Sequence, residues 1–319
     1  MSTSPPDGAD DIDLRAWRQF LALAELLHFG RAARRLAITQ PPLTQAIQKL
    51  EARLGVPLFE RTRRSVALTP AGAALVDPVR LLLGQAGALP AVAREAAAGR
   101  LGTLRLGFVS TIGFGPLPEW LRGFREAFPG VAVQLQEATG DVQLAAFDRG
   151  ALDAGFVLHA PGMAPEARAA LGRLSVGVEP LVLALPDAGA SSSASRRAGA
   201  ALLGLPLVIF PRAIAPSLFD AVLAFYHRHG ATPSIAQEAV QMQTIVNLVS
   251  AGLGIALVPR AVTTLRRPGV RYLPIPRALT GAPRCETSLL WAPGAPATER
   301  FVQHVRARLG AGREGSPDR

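Results

Sequence analysis

The chain carries a single cysteine, Cys285, in 319 residues. That excludes an intramolecular disulfide framework and a Cys-rich zinc site. Lysine is almost absent too: Lys49 is the only one among 34 Lys and Arg. No apolar run approaches the length of a membrane span. The start, MSTSPPDGADDID, is acidic and polar and lacks the apolar core of a secretory signal. Enzyme signatures are missing as well. There is no G-x-S-x-G, no P-loop and no dinucleotide-binding glycine fingerprint. His159, His227, His229 and His304 show no metal-ligand spacing with carboxylates, and His227 and His229, two apart, point away from each other on a helix. GLGIAL reads as the start of an interior strand rather than a phosphate loop. The expectation is a cytoplasmic protein that is not an enzyme, with no metal, no cofactor and no membrane association.

The length allows two or three compact units. A net charge of +10 favours an anionic partner, although arginine in place of lysine, in a chain rich in Ala, Gly and Pro, also fits genomic composition. The basicity is not spread evenly. Between Leu14 and Leu68 ten Arg or Lys stand against three Glu, a net of +7. The next 32 residues, to Arg100, carry a net of +1.

The basic stretch contains RAARRLAITQPPLTQAIQKLEARLGVPLFERTRRSVALTPAG, residues 31–72. Ala32, Ala33 and Leu36 supply small and apolar contacts on a first short helix. Ile38 and Thr39 make a turn, and Thr39 is placed to cap the next helix by accepting a backbone N–H. Pro41 falls in that helix's first turn, where a missing N–H costs little. Leu43, Ile47, Leu50 and Leu54 follow as one buried stripe. The opposite face holds Gln40, Pro42, Thr44, Gln45, Gln48 and Lys49. Gln pairs with adenine in bidentate fashion, and Thr meets a base edge or a thymine methyl. Beyond Leu58 and Phe59, the tip Arg61, Thr62, Arg63, Arg64 and Ser65 precedes Val66, Ala67 and Leu68. A basic tip between two short apolar runs is a hairpin wing, with its arginines on phosphates or in the minor groove. The layout is a winged helix-turn-helix, which places one helix in the DNA major groove. An upstream helix starts at the N-cap Asp13 and buries Trp17, Phe20, Leu21 and Ala24. A solvated amphipathic helix beside an ordinary wet arginine run fits the same residues. The concentration of charge where the reading elements lie favours DNA.

After Thr69 and Pro70, a cap and first-turn pair, Leu75, Val79, Leu82, Leu83 and Leu89 form an apolar stripe. A linker helix over 69–100 is expected, bent near Pro78 or Pro90. From Leu104 the pattern changes. LRLGFV, VAVQLQ and LDAGFVL are strands alternating with helices at 114–128 and 141–150. LVLAL opens a second unit that runs through LVIF, helix 217–230, a short strand near Ile235, helix 242–252 and GIALVP. VRYLPI, ETSLLWA and a helix over 298–309 close the chain. The fold expected is α/β with an α-rich winged helix-turn-helix (13–68), a linker helix (69–100) and a C-terminal domain (101–309), the effector-binding domain of the resemblance given below. That domain is built of two α/β subdomains, 101–175 with 266–309 and 176–265. They are crossed by two strands and hinged about a cleft, like periplasmic binding proteins. Residues 1–12 and 310–319 read as disordered tails.

AARRLAITQPPLTQAIQKLEARLGVPLFERT followed by LTPAG closely resembles the N-terminal domain of the LysR-type transcriptional regulators. The resemblance implies that Gln40, Pro42, Thr44, Gln45 and Gln48 face base edges, with Lys49 on the same face. It implies that Arg34, Arg61, Arg63 and Arg64 contact the DNA backbone. It also implies a linker helix that pairs with its twin, so that a homodimer or homotetramer acts at promoter DNA and contacts RNA polymerase. IFPR, PSLFDAVLAFYHRHG and QEAVQMQTIVNLVSAGLGIALVP look like the subgroup that senses aromatic acids and muconates. Carried over from it, Ser110, Thr111, Thr139, Phe210 and Pro211 would hold a small carboxylate effector. Hydroxyls at helix N-termini suit a carboxylate, and Phe210 suits an apolar body. Thr139 reads equally as a plain N-cap, and Phe210 as a core residue. His159 is placed at the end of a strand beside the cleft or in a surface loop, and Arg212 at the cleft rim. Two other functions stay in view: a constitutive DNA-binding regulator without an effector, and a cytoplasmic solute-binding module. The basic winged region counts against the second.

Overall fold

The structure, a computed structural model, describes residues 12–62, 65–166, 170–187 and 199–314. The chain divides into two compact units at Arg94/Glu95.

The first unit begins with α1 (Leu14–Leu26), α2 (Phe29–Arg35) and α3 (Gln40–Leu54). Asp13 caps α1, its carboxylate accepting the Ala16 N–H at 2.7 Å. His28 caps α2 in the same way through Nδ1. Phe20, Leu23, Ala32, Leu43, Ile47 and Leu50 form the core, so the spacing read along α3 is the face it buries. The turn between α2 and α3 places Ala37 at φ 53°, a left-handed conformation that a Cβ disfavours. Thr39 occupies the N-cap position of α3, but its hydroxyl makes no capping bond, contrary to expectation. The wing is β1 (Phe59–Arg61) antiparallel to β2 (Val66–Leu68). Arg63 and Arg64 lie outside the described residues. The Thr69 hydroxyl accepts the Gly72 N–H at 2.9 Å and starts α4 (Pro70–Ala97). Gly72 is required there, because a Cβ would run into the Leu58 carbonyl. One helix contains both Pro78 and Pro90; neither ends it.

The second unit holds β3 (Leu101–Phe108), α5 (Ser110–Gly113), α6 (Leu117–Ala127), β4 (Gly130–Glu137), α7 (Gly140–Asp148) and β5 (Ala154–His159). The long strand β6 (Gly172–Pro186) leads to β7 (Leu207–Ile209), α8 (Pro216–Arg228), β8 (Ile235–Glu238), α9 (Met242–Ser250) and β9 (Ala256–Pro259). β10 (Val270–Pro274), β11 (Arg284–Trp291) and α10 (Pro296–Glu314) complete it. One sheet of seven strands runs β10-β6-β11-β5-β3-β4, with β9 also on β6, and β7 pairs β8 apart from it. β3, β4 and β5 are parallel, and β5 is buried along its whole length, as a strand covered on both faces must be.

Two cores flank the crossing strands. Leu104, Trp120, Phe124, Phe156 and Phe301 fill the first subdomain. Leu183, Leu218, Phe225, Tyr226 and Val246 fill the second. β6 and β11 pass through both. Gly172–Ser175 pairs with Ser288–Trp291, Gly177–Pro180 pairs with Arg284–Thr287, and a bulge separates the two stretches at Thr287/Ser288.

Several boundaries move. The helix expected over 114–128 is a single turn at Ser110–Gly113 and then α6, because Gly113, Gly115 and Pro116 interrupt it. The return to the first subdomain comes at the bulge and not at Arg266. β10 pairs with the far half of β6, and Val270, Tyr272 and Leu279 pack into the second core. α10 continues past Gly310 to Glu314, so no tail begins at 310. Ile12, also placed in a tail, packs against the first unit's core.

The two N-cap positions predict unequal losses. Asp13→Ala should cost α1 about 1 kcal/mol and Thr39→Ala at most a few tenths in α3. Native-state hydrogen exchange of the amides in each helix measures both.

Candidate functional site

On the first unit, α3 presents Gln40, Pro42, Gln45, Gln48 and Lys49 to solvent. Thr44 is half-buried, and its hydroxyl donates to the Gln40 carbonyl at 3.1 Å. Arg34 is exposed at the end of α2 and makes no ion pair with a described residue.

Arg61 is placed differently. Its guanidinium lies 2.7 Å from Glu51 and 5.1 Å from the centroid of the Phe29 ring. The other Glu51 oxygen accepts the Leu58 and Phe59 N–H groups at 2.9 and 3.1 Å. One carboxylate on α3 therefore holds both the entry to the wing and the arginine that continues it. Sequence reasoning passed over Glu51. Its signal was a lone acid on a helix in a strongly basic segment.

In the second unit a cavity of about 40 Å³ opens between the subdomains. Ser110, Thr111, Thr139 and Phe210 all line it. Pro211 does not, and is half-buried next to Phe210. Three helix N-termini meet the cavity: Ser110 of α5, the N-cap Thr139 with Gly140 of α7, and the N-cap Gln241 with Met242 of α9. Neither Thr139 nor Gln241 uses its side chain to cap its helix. Thr111 is 4 % exposed, and its hydroxyl has no hydrogen-bond partner among the described residues. Leaving a buried hydroxyl unpaired costs about 1–3 kcal/mol, so a donor or acceptor from outside is favoured there.

Gln143 fixes the loop that carries Thr139. Its amide donates to the Ala138 and Phe156 carbonyls at 2.8 and 3.0 Å, tying the end of β4 to β5. A Cβ at Gly107 or Gly155 would collide with that amide. Neither Gln143 nor the wall residues Glu137, Leu158, Leu218 and Met242 were found from sequence, because chain folding alone brings them together.

A second chamber of about 220 Å³ adjoins the first and shares Gly140, Leu158, Ile214 and Ala215 with it. His159 lines this chamber and is 1 % exposed, so it belongs to the cleft and not to a surface loop. Its Nδ1 lies 2.7 Å from the Ala160 carbonyl and therefore donates. Its Nε2 then accepts from the Ser288 hydroxyl at 2.9 Å. Burial lowers its pKa, which keeps the ring neutral. Glu286, also buried, accepts the Gly162 N–H at 2.8 Å and faces Arg173 at 3.4 Å. Ser217, at the start of α8, accepts the Ala160 N–H at 3.1 Å and donates to the Met163 carbonyl at 3.3 Å. That hydroxyl links the loop after β5 to the second subdomain. Arg212 is not a cleft cation; both its Nε and one terminal nitrogen bond Asp220 at 2.7 Å.

Among the described residues no cluster of three or more His, Cys, Asp or Glu is placed to hold a metal ion. No helix among them is long and apolar enough to cross a membrane.

Comparison with known proteins assigns both units. Residues 14–73 match the bacterial regulatory helix-turn-helix protein, lysR family, and residues 97–310 match the LysR substrate binding domain. The chain is 47 % identical over 281 residues to the HTH-type transcriptional regulator IlvR of Caulobacter vibrioides, covering 88 % of this chain and 92 % of that one. It is 36 % identical over 261 residues to AlsR of Bacillus subtilis, an HTH-type transcriptional regulator, covering 82 % and 85 %. The crystal structure of full-length CbnR complexed with its target DNA is similar with a TM-score of 0.75 and 29 % identity, over 93 % of this chain and 100 % of that one. In this chain a winged helix-turn-helix is joined to two α/β subdomains around a cleft, and both parts are covered by these matches. The chain belongs to the LysR family of transcriptional regulators: it is a DNA-binding regulator with an effector-binding domain, and not an enzyme.

Proposed function

We propose that this regulator is switched by a small carboxylate effector bound between the two subdomains. Thr111, a cavity-wall residue whose buried hydroxyl has no partner among the described residues, carries this reading. The carboxylate meets the hydroxyls of Ser110, Thr111 and Thr139 and the free N–H groups at the start of α7. The apolar body lies against Leu158, Ile214 and Ala215, the wall that the two chambers share, beside Phe210. Aromatic acids and muconate-type acids are the class that the sequence resemblance points to. The cavity of about 40 Å³ is small for such a ligand by itself, and the adjoining chamber of about 220 Å³ supplies further room. The ligand shifts the regulator only as far as it prefers one conformation.

On the DNA side, Gln40, Pro42, Thr44, Gln45 and Gln48 read base edges in the major groove. Lys49, Arg34, Arg63 and Arg64 meet phosphates. Arg61, committed to Glu51 and Phe29, instead positions the wing. The protein acts in the cytoplasm as a homodimer or homotetramer on promoter DNA and contacts RNA polymerase there. Leu81 and Leu89 on α4, 64 % and 63 % exposed, supply an apolar stripe for a twin helix.

Salt dependence separates the two kinds of cation. Lys49→Ala should lower the slope of log K against log salt by about one. Arg61→Ala should weaken binding but leave that slope unchanged, and its loss should not add to that of Glu51→Ala. Fluorescence anisotropy on DNA from upstream of the gene measures both.

The cleft is tested by a thermal-shift series with small carboxylates. Thr111→Val keeps the shape and removes the unpaired hydroxyl, so the ligand-free midpoint should hold or rise. At least one acid should raise the midpoint of the native protein and fail to do so in the variant. Equal shifts in both proteins, or none in the native one, would overturn the proposal.

A further inference from the structure

The cleft presents hydroxyls and helix N-termini, and among the described residues no Lys or Arg lines either chamber. Among the described residues the one basic side chain at the walls is His159, whose two ring nitrogens are already engaged with Ala160 and Ser288. Carboxylates are present instead. Glu137, the last residue of β4, lines the first chamber, and Asp141, in the first turn of α7, lines the second. They stand two residues either side of Thr139. Neither makes an ion pair with a described residue, whereas Asp153, Asp220 and Glu286 do.

A simple anion in this cleft would find donors for its own carboxylate and two uncompensated negative charges beside it. A dicarboxylate would meet them twice over. An added cationic nitrogen reverses the sign of that interaction. The second chamber shows what the rest of the ligand is. Leu144, Leu158, Met163, Pro165 and Ile214 make its wall largely apolar.

We infer that the effector is an apolar amino-acid-like zwitterion, its carboxylate at Thr111 and Thr139, its ammonium between Glu137 and Asp141, and its side chain in the second chamber. The inference rests on the reading of this cleft as the effector site. It keeps the carboxylate but replaces the simple aromatic and muconate-type acids with one that carries a positive nitrogen beside the carboxylate. Both acidic residues are exposed to solvent, which screens them, so the discrimination is moderate, about ten-fold in affinity.

The test is isothermal titration of the full-length protein with two matched sets. One is L-phenylalanine, hydrocinnamate and phenethylamine; the other is L-leucine, isocaproate and isoamylamine. Within each set the body is constant and only the charge pattern changes. A zwitterion should bind about ten-fold more tightly than its anion and its amine. Glu137→Gln with Asp141→Asn should abolish the advantage over the anion, and Thr111→Val should weaken every member of the set. An anion that binds as tightly as its zwitterion overturns the inference, as does an advantage that survives the double substitution or a failure of both sets to bind. If binding is indifferent to Thr111→Val, the cleft reading fails first and this inference falls with it. A urea midpoint within the native range shows that each variant is folded.

Discussion

The pairing of β6 with β11 is the constraint on which the effector domain depends. These two strands pair on both sides of the crossing, and the bulge at Thr287/Ser288 divides their common register. A ladder holds its strands in place by hydrogen bonds, while a bulge releases one residue and lets the strand bend. Each subdomain can then keep its own packed core, and adjustment is confined to the crossing. The cleft lies between those cores. Its walls are the ends of β3, β4 and β7 and the helices that follow them, which is where open α/β sheets place their ligands.

Polar groups gather at the crossing for the same reason. Ser288 and Glu286 stand on β11, His159 ends β5, and Arg173 lies on the first half of β6. Each bonds a neighbour from another strand or the following loop, as Glu286 does Gly162. A buried network of this kind is costly unless complete, so it fixes one arrangement of the strands. The Ser217 hydroxyl carries that arrangement on to α8. In the first unit Glu51 does the equivalent work. It answers two N–H groups of the wing and the Arg61 guanidinium from a single helical position.

Much of this was legible in the sequence, and what was not has physical reasons. Leu43, Ile47 and Leu50 declare α3 because a buried stripe repeats every three or four residues. Asp13 and Thr69 announce their helices through side-chain chemistry that acts three residues away. Thr111, Thr139 and Phe210 were reached through family resemblance, and the fold does bring them to one cavity. The first half of β6 was not legible. GRLSVGVEP mixes Gly, Pro and charge, and its strand character comes from pairing with β11, more than a hundred residues later. β10 was assigned to the wrong subdomain because its partner on β6 cannot be inferred locally. Glu51, Gln143, Glu137 and Asp141 matter through what folding places beside them, and no local pattern marks such residues.

The central claim is that occupancy of the cleft alters how the winged domain holds DNA. The most direct measurement is a nuclease footprint of the full-length protein on DNA from upstream of its gene, taken without ligand and with whichever zwitterion binds. The pattern of protection should change with ligand in the native protein and stay fixed in Thr111→Val. Footprints that are specific but identical with and without a bound ligand would contradict the account and leave a constitutive DNA binder in its place.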